Sequence, residues 1–310
     1  MLFKKLTIGK IIEYLKNKYK YIQKIIFIVI ICIELILWIN DNINIFKKLK
    51  KYKINFSYNY IGGDFFESLT YNNRIYYSET HSVENAFQTS NYYDILLTHN
   101  SDHGVTEELF QKFLKSGKFK YWFAQNIKVI HKKLFALPIG LENAHWRNFS
   151  KYKIIMEELK KNIKPTKLLF ASFSIRTNRK KRIDCINSFK NKTYLTNNVN
   201  LSDNIKRIKP PIEEYKEFVD EILNHYFTLC PEGNGIDTHR FWEVLYLKRF
   251  PVVLHNPVTD SFSDLPILIL NKWSDFENEY KKFLKKVKNN AFSYEKLKPS
   301  YWRNLLMRIN

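Results

Sequence analysis

Cysteine is scarce: the chain has three in 310 residues, Cys32, Cys185 and Cys230, far apart and without a Cys-x-x-Cys pair. That excludes a zinc ribbon or a disulfide scaffold and leaves buried or partly buried free thiols. Three nucleotide and ester chemistries lack their motifs. No Asp-x-Asp occurs to hold a metal against a diphosphate, no Gly-x-x-x-x-Gly-Lys-[Ser/Thr] loop cradles a triphosphate, and no Gly-x-Ser-x-Gly elbow presents a nucleophile. Gly233-Asn234-Gly235 lacks the third glycine of a dinucleotide fingerprint. A full membrane span is lacking too. The most apolar stretch, residues 25–39, is shorter than the ~20 residues a spanning helix requires and is interrupted by Glu34. No small-residue cleavage site follows it, so it does not read as a signal peptide. Lysines flank it on both sides, among them Lys20 and Lys24 before and Lys47 and Lys48 after, and so set no orientation. A membrane-associated helix or weak anchor is the preferred reading, over a buried core helix.

Acidic residues are also few. Thirty Asp and Glu face 51 Lys and Arg, for a formal net charge of +21. Such a balance attracts polyanions, but Lys, Asn, Ile, Tyr and Phe are over-used together, as compositional drift would produce, and no nucleic-acid motif accompanies the charge. A specific nucleic-acid partner is therefore not expected.

From residue 54 the pattern turns α/β. Short apolar runs recur at 95–97, 121–124, 134–139, 167–171, 226–229, 251–254 and 267–270. Helix-like stretches lie between several of them, at 106–116, 152–162, 179–190, 213–224 and 237–248, and 190–210 reads as a loop region. Strands alternating with helices predict parallel sheets. The break at Lys161-Asn162-Ile163-Lys164-Pro165 divides the chain into a basic, apolar segment at 1–53, a Rossmann-like lobe at 54–164, and a second such lobe with a C-terminal helix at 165–310. Open parallel sheets bind ligands beyond the carboxyl ends of their strands, which makes a cleft between the lobes the natural site.

One segment stands out. In Phe227-Thr228-Leu229-Cys230-Pro231-Glu232-Gly233-Asn234-Gly235-Ile236-Asp237-Thr238-His239-Arg240-Phe241-Trp242-Glu243 an apolar run ends at a glycine turn, and a helical pattern follows. A strand, a glycine turn and a helix start together make an anion site, because free amides and the positive helix end converge. Arg240 and Glu243, three apart, share a helix face and suit a ligand with both phosphate and hydroxyl groups, such as a nucleotide sugar. The same residues read equally well as a tight connection followed by a surface ion pair. Arg176, after the run 167–173, is a second phosphate candidate because a guanidinium fork binds phosphate oxygens in pairs. Arg179 and Arg182 behind it read as a solvated basic loop.

These residues resemble the exostosin-like glycosyltransferases, including their bacterial and viral relatives. The likeness runs from Tyr58 to the C-terminus. It is carried by residues 229–243, with further blocks at Leu97-Thr98-His99-Asn100-Ser101-Asp102, Trp122-Phe123-Ala124-Gln125-Asn126 and Leu137-Pro138-Ile139-Gly140-Leu141-Glu142-Asn143. It implies a GT-B arrangement, two Rossmann-like lobes facing across a cleft, and transfer of a sugar from a nucleotide donor to a glycan or glycolipid, usually with inversion. It implies that the second lobe holds the donor through Gly233, Asn234, Gly235, Asp237 and His239, with Arg240 on the diphosphate and Glu243 on hydroxyls. A non-catalytic glycan-binding relative is the alternative. One departure is visible. The family often has a glycine before the next strand, where this chain reads Leu247-Lys248-Arg249-Phe250-Pro251. A helix-ending residue there would take the left-handed conformation at a cost.

An inverting transfer requires a base for the acceptor hydroxyl. The candidates, in order, are Asp102, Glu142 and His99. Metal ligation by His99 and His103 is disfavoured because Asn100 and Gly104 argue for a loop. With no Asp-x-Asp, the leaving diphosphate is expected to be neutralised by cations and a helix N-terminus, without metal or other cofactor. The expected location is a membrane surface where nucleotide sugar is available, at a cytosolic face or in a Golgi lumen, with a soluble cytoplasmic protein as the alternative.

Overall fold

The computed structural model describes residues 59–71, 74–143, 150–202 and 211–309. The apolar stretch at 25–39 lies outside them. Among the described residues no helix is long and apolar enough to cross a membrane.

Among the described residues nine strands form two sheets. The first, in the order β1 (Ile75–Glu79), β2 (Tyr93–His99), β3 (Phe119–Ala124), β4 (Leu134–Ala136), is parallel throughout. The second is also parallel and runs β6-β5-β7-β8-β9, with β5 at Lys167–Ala171, β6 at Leu195–Asn197, β7 at His225–Leu229, β8 at Phe250–Leu254 and β9 at Leu268–Leu270. The helices are α1 (Gly63–Glu67), α2 (Glu107–Ser116), α3 (Lys151–Leu159), α4 (Arg179–Ser188), α5 (Ile212–Asn224), α6 (His239–Tyr246), α7 (Pro257–Ser261), α8 (Phe276–Lys288) and α9 (Pro299–Arg308). The α/β class with parallel sheets therefore stands.

Five of the seven apolar runs became central strands, covered on both faces, and those at 134–139 and 267–270 became the edge strands β4 and β9. Ile95, Leu96 and Leu97 are all buried in β2, as are Phe227 and Leu229 in β7, which is how parallel strands give up alternation. The two strands without such a run are edge strands. β1 reads Ile-Tyr-Tyr-Ser-Glu, and β6 reads only Leu-Thr-Asn, inside the stretch predicted as loop. These two have one neighbour each and leave most of their residues partly exposed, so their pattern is weak. The run at 134–139 pairs only as far as Ala136, because Pro138 has no amide for the ladder.

In the second sheet the chain leaves β5 for β6 on one side and returns to β7 on the other. That reversal puts a crevice at the carboxyl ends of β5 and β7. Both sheets belong to one compact unit that begins at Ser57. One apolar core runs from Phe66 and Trp122 to Tyr215, Trp242 and Trp302. Helix α9 returns to the first sheet's side, where Trp302 sets its ring edge-on to Phe66 at 5.8 Å.

Helix α6 ends as the departure from the glycine pattern predicts. Lys248 has φ 55°, and the bonds Lys248 N to Leu245 O (3.0 Å) and Arg249 N to Val244 O (3.0 Å) close a Schellman turn. A side chain in that conformation costs ~1–2 kcal/mol, of which glycine's looser unfolded state offsets part. Lys248→Gly is therefore expected to stabilise the protein by about 0.5–1 kcal/mol, read as a raised urea midpoint at unchanged m-value.

Candidate functional site between the carboxyl ends of the two sheets

A cleft of about 580 Å³ opens where the strands of both sheets end. The first sheet contributes Asp102 after β2, and Asn126 and Lys128 after β3. The second contributes Asn178 after β5, the loop Glu232–Ile236 after β7, and His255 and Asn256 after β8. Four predicted residues meet here: Asp102, Gly233, Asn234 and Gly235. Asp102 is exposed, and its Oδ2 accepts a 3.0 Å hydrogen bond from Asn234 Nδ2 across the cleft.

The glycine loop is held from behind by a buried polar joint. Asn126 donates to Ser101 O (3.1 Å) and accepts from Asp237 N (2.9 Å). A Cβ on Gly235 would stand 2.6 Å from the Asn126 amide, so only glycine lets the loop come this close. Asp237 is buried. Its carboxylate accepts from Ile139 N (2.7 Å), Thr238 N (2.8 Å) and Trp242 Nε1, at 2.9 and 2.8 Å to its two oxygens. Burial pushes this carboxyl up to about 7, and the three N–H donors pull the other way. Every neighbour donates, so the geometry suits the ionised form. His239 adds a second tie, its Nδ1 2.8 Å from the Gly140 carbonyl. Gly140 itself has φ 66°, and a Cβ there would run into the Ile61 backbone. Asp237 and His239 thus join the two sheets at the root of the cleft. Only Asp237 of the pair reaches a cavity, a smaller one of about 310 Å³ beside the cleft.

Several donors around the loop have no partner. Among the described residues the amides of Asn234, Gly235 and Ile236 donate no hydrogen bond. Thr238 caps α6 without a side-chain bond, and its hydroxyl is buried and unpaired. The Nε of Arg240 is buried without a partner, and its guanidinium makes no ion pair among the described residues. It lies against aromatic rings, 5.8 Å from the Phe173 centroid and 5.9 Å from that of Phe218. Arg182 shares the same Phe173 ring at 5.6 Å. It donates to Glu232 O (2.9 Å) and Ser174 O (2.5 Å), and its Nη2 backs onto Gly233. Burial first, and then Arg240, bring the Arg182 guanidinium down to about 10, still charged at neutral pH. Burial lowers Arg240 as well. Two cations without a carboxylate in contact therefore sit beside the glycine loop, Glu243 acting on Arg240 only from a distance, in a fold where unpaired buried charge is costly.

The remaining predicted residues stand elsewhere. Arg240 lines neither cavity; its charge acts from below the loop. Arg176 is exposed, in a short turn after β5. Arg182 is a correction: it is buried and holds the loop's carbonyl, where the sequence read a solvated basic loop. Glu243 is also buried, and no surface ion pair with Arg240 forms. Its Oε1 meets Lys151 Nζ at 2.6 Å, and Lys151 reaches Glu142 Oε2 at 3.1 Å. Burial works against ionisation of Glu243, but Lys151, with His239 and Arg240 behind it, outweighs that and holds the carboxyl below its ordinary value. Glu142 is thus in an ion pair rather than in the cleft lining. His99 is enclosed: Nε2 donates to Pro138 O at 2.9 Å, the ring stacks on Phe66 at 5.1 Å, and burial brings its pKa down to about 4. It does not reach an acceptor hydroxyl in the cleft.

Sequence reasoning missed Lys128, Lys181, Lys151, Arg182 and the His255-Asn256 pair. Asn126 had a signal, the end of the block Trp122–Asn126. Lys151 had none among so many lysines. Cys185 and Cys230 are buried free thiols, as expected. Among the described residues no group of three or more His, Cys, Asp or Glu is placed to hold a metal. The chain matches no model of a known protein family and no curated protein.

Proposed function

We propose that this protein is a glycosyltransferase of GT-B type. It moves a sugar from a nucleotide-sugar donor to a glycan or glycolipid acceptor, inverting the anomeric centre without a metal. The observation that carries this reading is the set of unpaired donors at the topological switch of the second sheet. Free amides belong to residues 234–236, which line the cleft, and behind them stand an uncapped helix start and two guanidinia without an ion pair, a field that favours an anion at the loop. Opposite, on the first sheet's side, stands the exposed carboxylate of Asp102.

In the reaction the acceptor hydroxyl oxygen attacks the anomeric carbon as the bond to the diphosphate oxygen breaks. The electron pair leaves with the diphosphate, whose charge grows toward the loop amides and the Arg182–Arg240 field. The hydroxyl proton passes to Asp102, whose present partner Asn234 must yield its place. Glu142 and His99 are not retained as bases, since one is ion-paired and the other enclosed. Glu243 positions rather than reacts, through its pair with Lys151.

The test is thermal protection and donor hydrolysis with UDP-, GDP- and dTDP-sugars in EDTA. At least one is expected to protect, and Arg240→Gln is expected to weaken its binding about fivefold, the worth of a nearby charge that makes no direct contact. Silence toward every donor would overturn the proposal, and an unchanged affinity in Arg240→Gln would remove that residue from it.

A further inference from the structure

The 310 Å³ cavity beside the cleft is a chamber with mostly apolar walls: Ile236, Phe241, Val253, Leu254, Val258 and Trp273. It is continuous with the cleft, because Lys181, Glu232, Ile236, His255 and Asn256 line both. A largely apolar-walled chamber opening on a donor-lined polar cleft matches the two ends of a nucleotide, the base and the diphosphate.

The chamber's polar groups can be sorted by whether they are already engaged. Asn256 spends its side-chain oxygen on Val258 N and Thr259 N, both at 2.9 Å. The Thr259 hydroxyl accepts from Asn256 N and donates within the same turn. The Asp237 carboxylate is saturated, as described above. Glu232 is ion-paired with Lys181, and His255 leans on Asp260 at 3.4 Å. Asp184 remains. Its carboxylate, exposed at the chamber rim on α4, makes no hydrogen bond or ion pair among the described residues. Lys181 lies one turn earlier on the same helix face, and its ammonium has donors beyond the one given to Glu232.

A free carboxylate asks for a ligand edge with two adjacent N–H donors. Among the common bases only guanine has one, at N1 and N2, with the O6 acceptor beside it. Uracil and thymine flank a single N–H with carbonyl oxygens that a carboxylate repels. Adenine and cytosine place a ring acceptor next to the amino group. We infer that the chamber takes the base of the donor and selects guanine, with Asp184 accepting from N1–H and N2–H and Lys181 donating to O6. This rests on the glycosyltransferase reading, to which it adds the donor class, a GDP-sugar.

The experiment is calorimetric titration of the full chain with GDP, IDP, UDP, dTDP, CDP and ADP. GDP is expected to bind at least about tenfold tighter than UDP, the worth of a bidentate contact to a base edge. IDP, which lacks the N2 amine, is expected in between. Asp184→Ala and Asp184→Asn should each bring GDP and UDP within about threefold while leaving the melting temperature unchanged, since the side chain holds nothing in the fold. UDP binding as tightly as GDP, or a GDP preference that survives in Asp184→Ala, would overturn the inference and leave the glycosyltransferase reading standing. A flat response to all six diphosphates would overturn both.

Discussion

Lys151→Met is expected to cost about 3–5 kcal/mol, the largest single effect in this protein outside the apolar core. Lys151 is 10% exposed at its side chain and Glu243 is 4% exposed. The ammonium stands between two carboxylates, 2.6 Å from Glu243 and 3.1 Å from Glu142. Methionine keeps most of the stem's volume and removes the charge. Two like charges are then left near each other in a place water hardly reaches, and burial, which already opposes ionisation of Glu243, is no longer balanced. The pair itself adds little over a well-packed apolar alternative, so most of the cost is the stranded Glu243 carboxylate. Adding Glu243→Gln to Lys151→Met should therefore restore much of the loss. Urea unfolding of the wild type, both single variants and the double variant checks this. A loss under about 1 kcal/mol in Lys151→Met would show that water reaches the pair freely.

The second large effect is a loss of stability in mild acid, centred on His99. Burial lowers its pKa from 6.5 to about 4, although the bonds to Pro138 O and Asn100 favour the charged ring. Between those two values the unfolded chain binds a proton that the folded one refuses. Stability is therefore full above pH 6.5 and falls as pH drops toward 4, by about 3 kcal/mol from this group. His225 and His239 are lowered too, burial being the first cause in each, and steepen the same slope. Glu243 works in a different window. Its carboxyl is held below the ordinary 4.5, so its contribution is present above that value and lost only as pH falls below it. Asp237 works the other way, since its carboxyl, pushed up to about 7 by burial, binds a proton first in the folded chain and adds stability as pH falls through that value; guanidinium unfolding from pH 7.5 to 4.5 should therefore show His99's share as the difference in slope between the wild type and His99→Gln. An identical slope in that variant would mean that His99 titrates alike in folded and unfolded chains.

The sites of these two effects differ in how far they could be read from sequence. His99 was visible as a candidate but in the wrong role. An apolar strand with a histidine at its end looks the same whether the ring faces a cleft or, as here, lies against Phe66 and the Pro138 carbonyl. Lys151 was invisible, because its partners come from two other elements, the loop after β4 and helix α6. Arg182 was read as solvated for the same reason: what buries it is Phe173 and the Glu232 carbonyl, the latter 50 residues away.

The strand–glycine–helix segment at 227–243 was legible, since a run of buried strand residues, a Gly-Asn-Gly turn and helical spacing are all local. Its mouth is open toward Asp102, as its pattern suggested, but its guanidinium sits under the loop rather than in the cleft. The short edge strands β1 and β6 and helices α7 and α8 were not anticipated; each has few residues to bury or an apolar pattern blurred by lysine.

By itself the sequence determined the class of fold, parallel α/β from apolar runs alternating with helical spacing, and where the second sheet turns into a glycine loop. Those follow from local periodicity and turn chemistry, which a linear chain carries in full. Only the tertiary structure decided which charged residues are paired. Lys151 took Glu243 and Glu142, Asn126 and Asp237 tied the sheets together, and Arg240 and Asp184 were left without an ion pair. The reason is physical: a charge is stabilised or stranded by what packing brings within a few ångströms, and most of those neighbours lie about ninety to more than a hundred residues away along the chain.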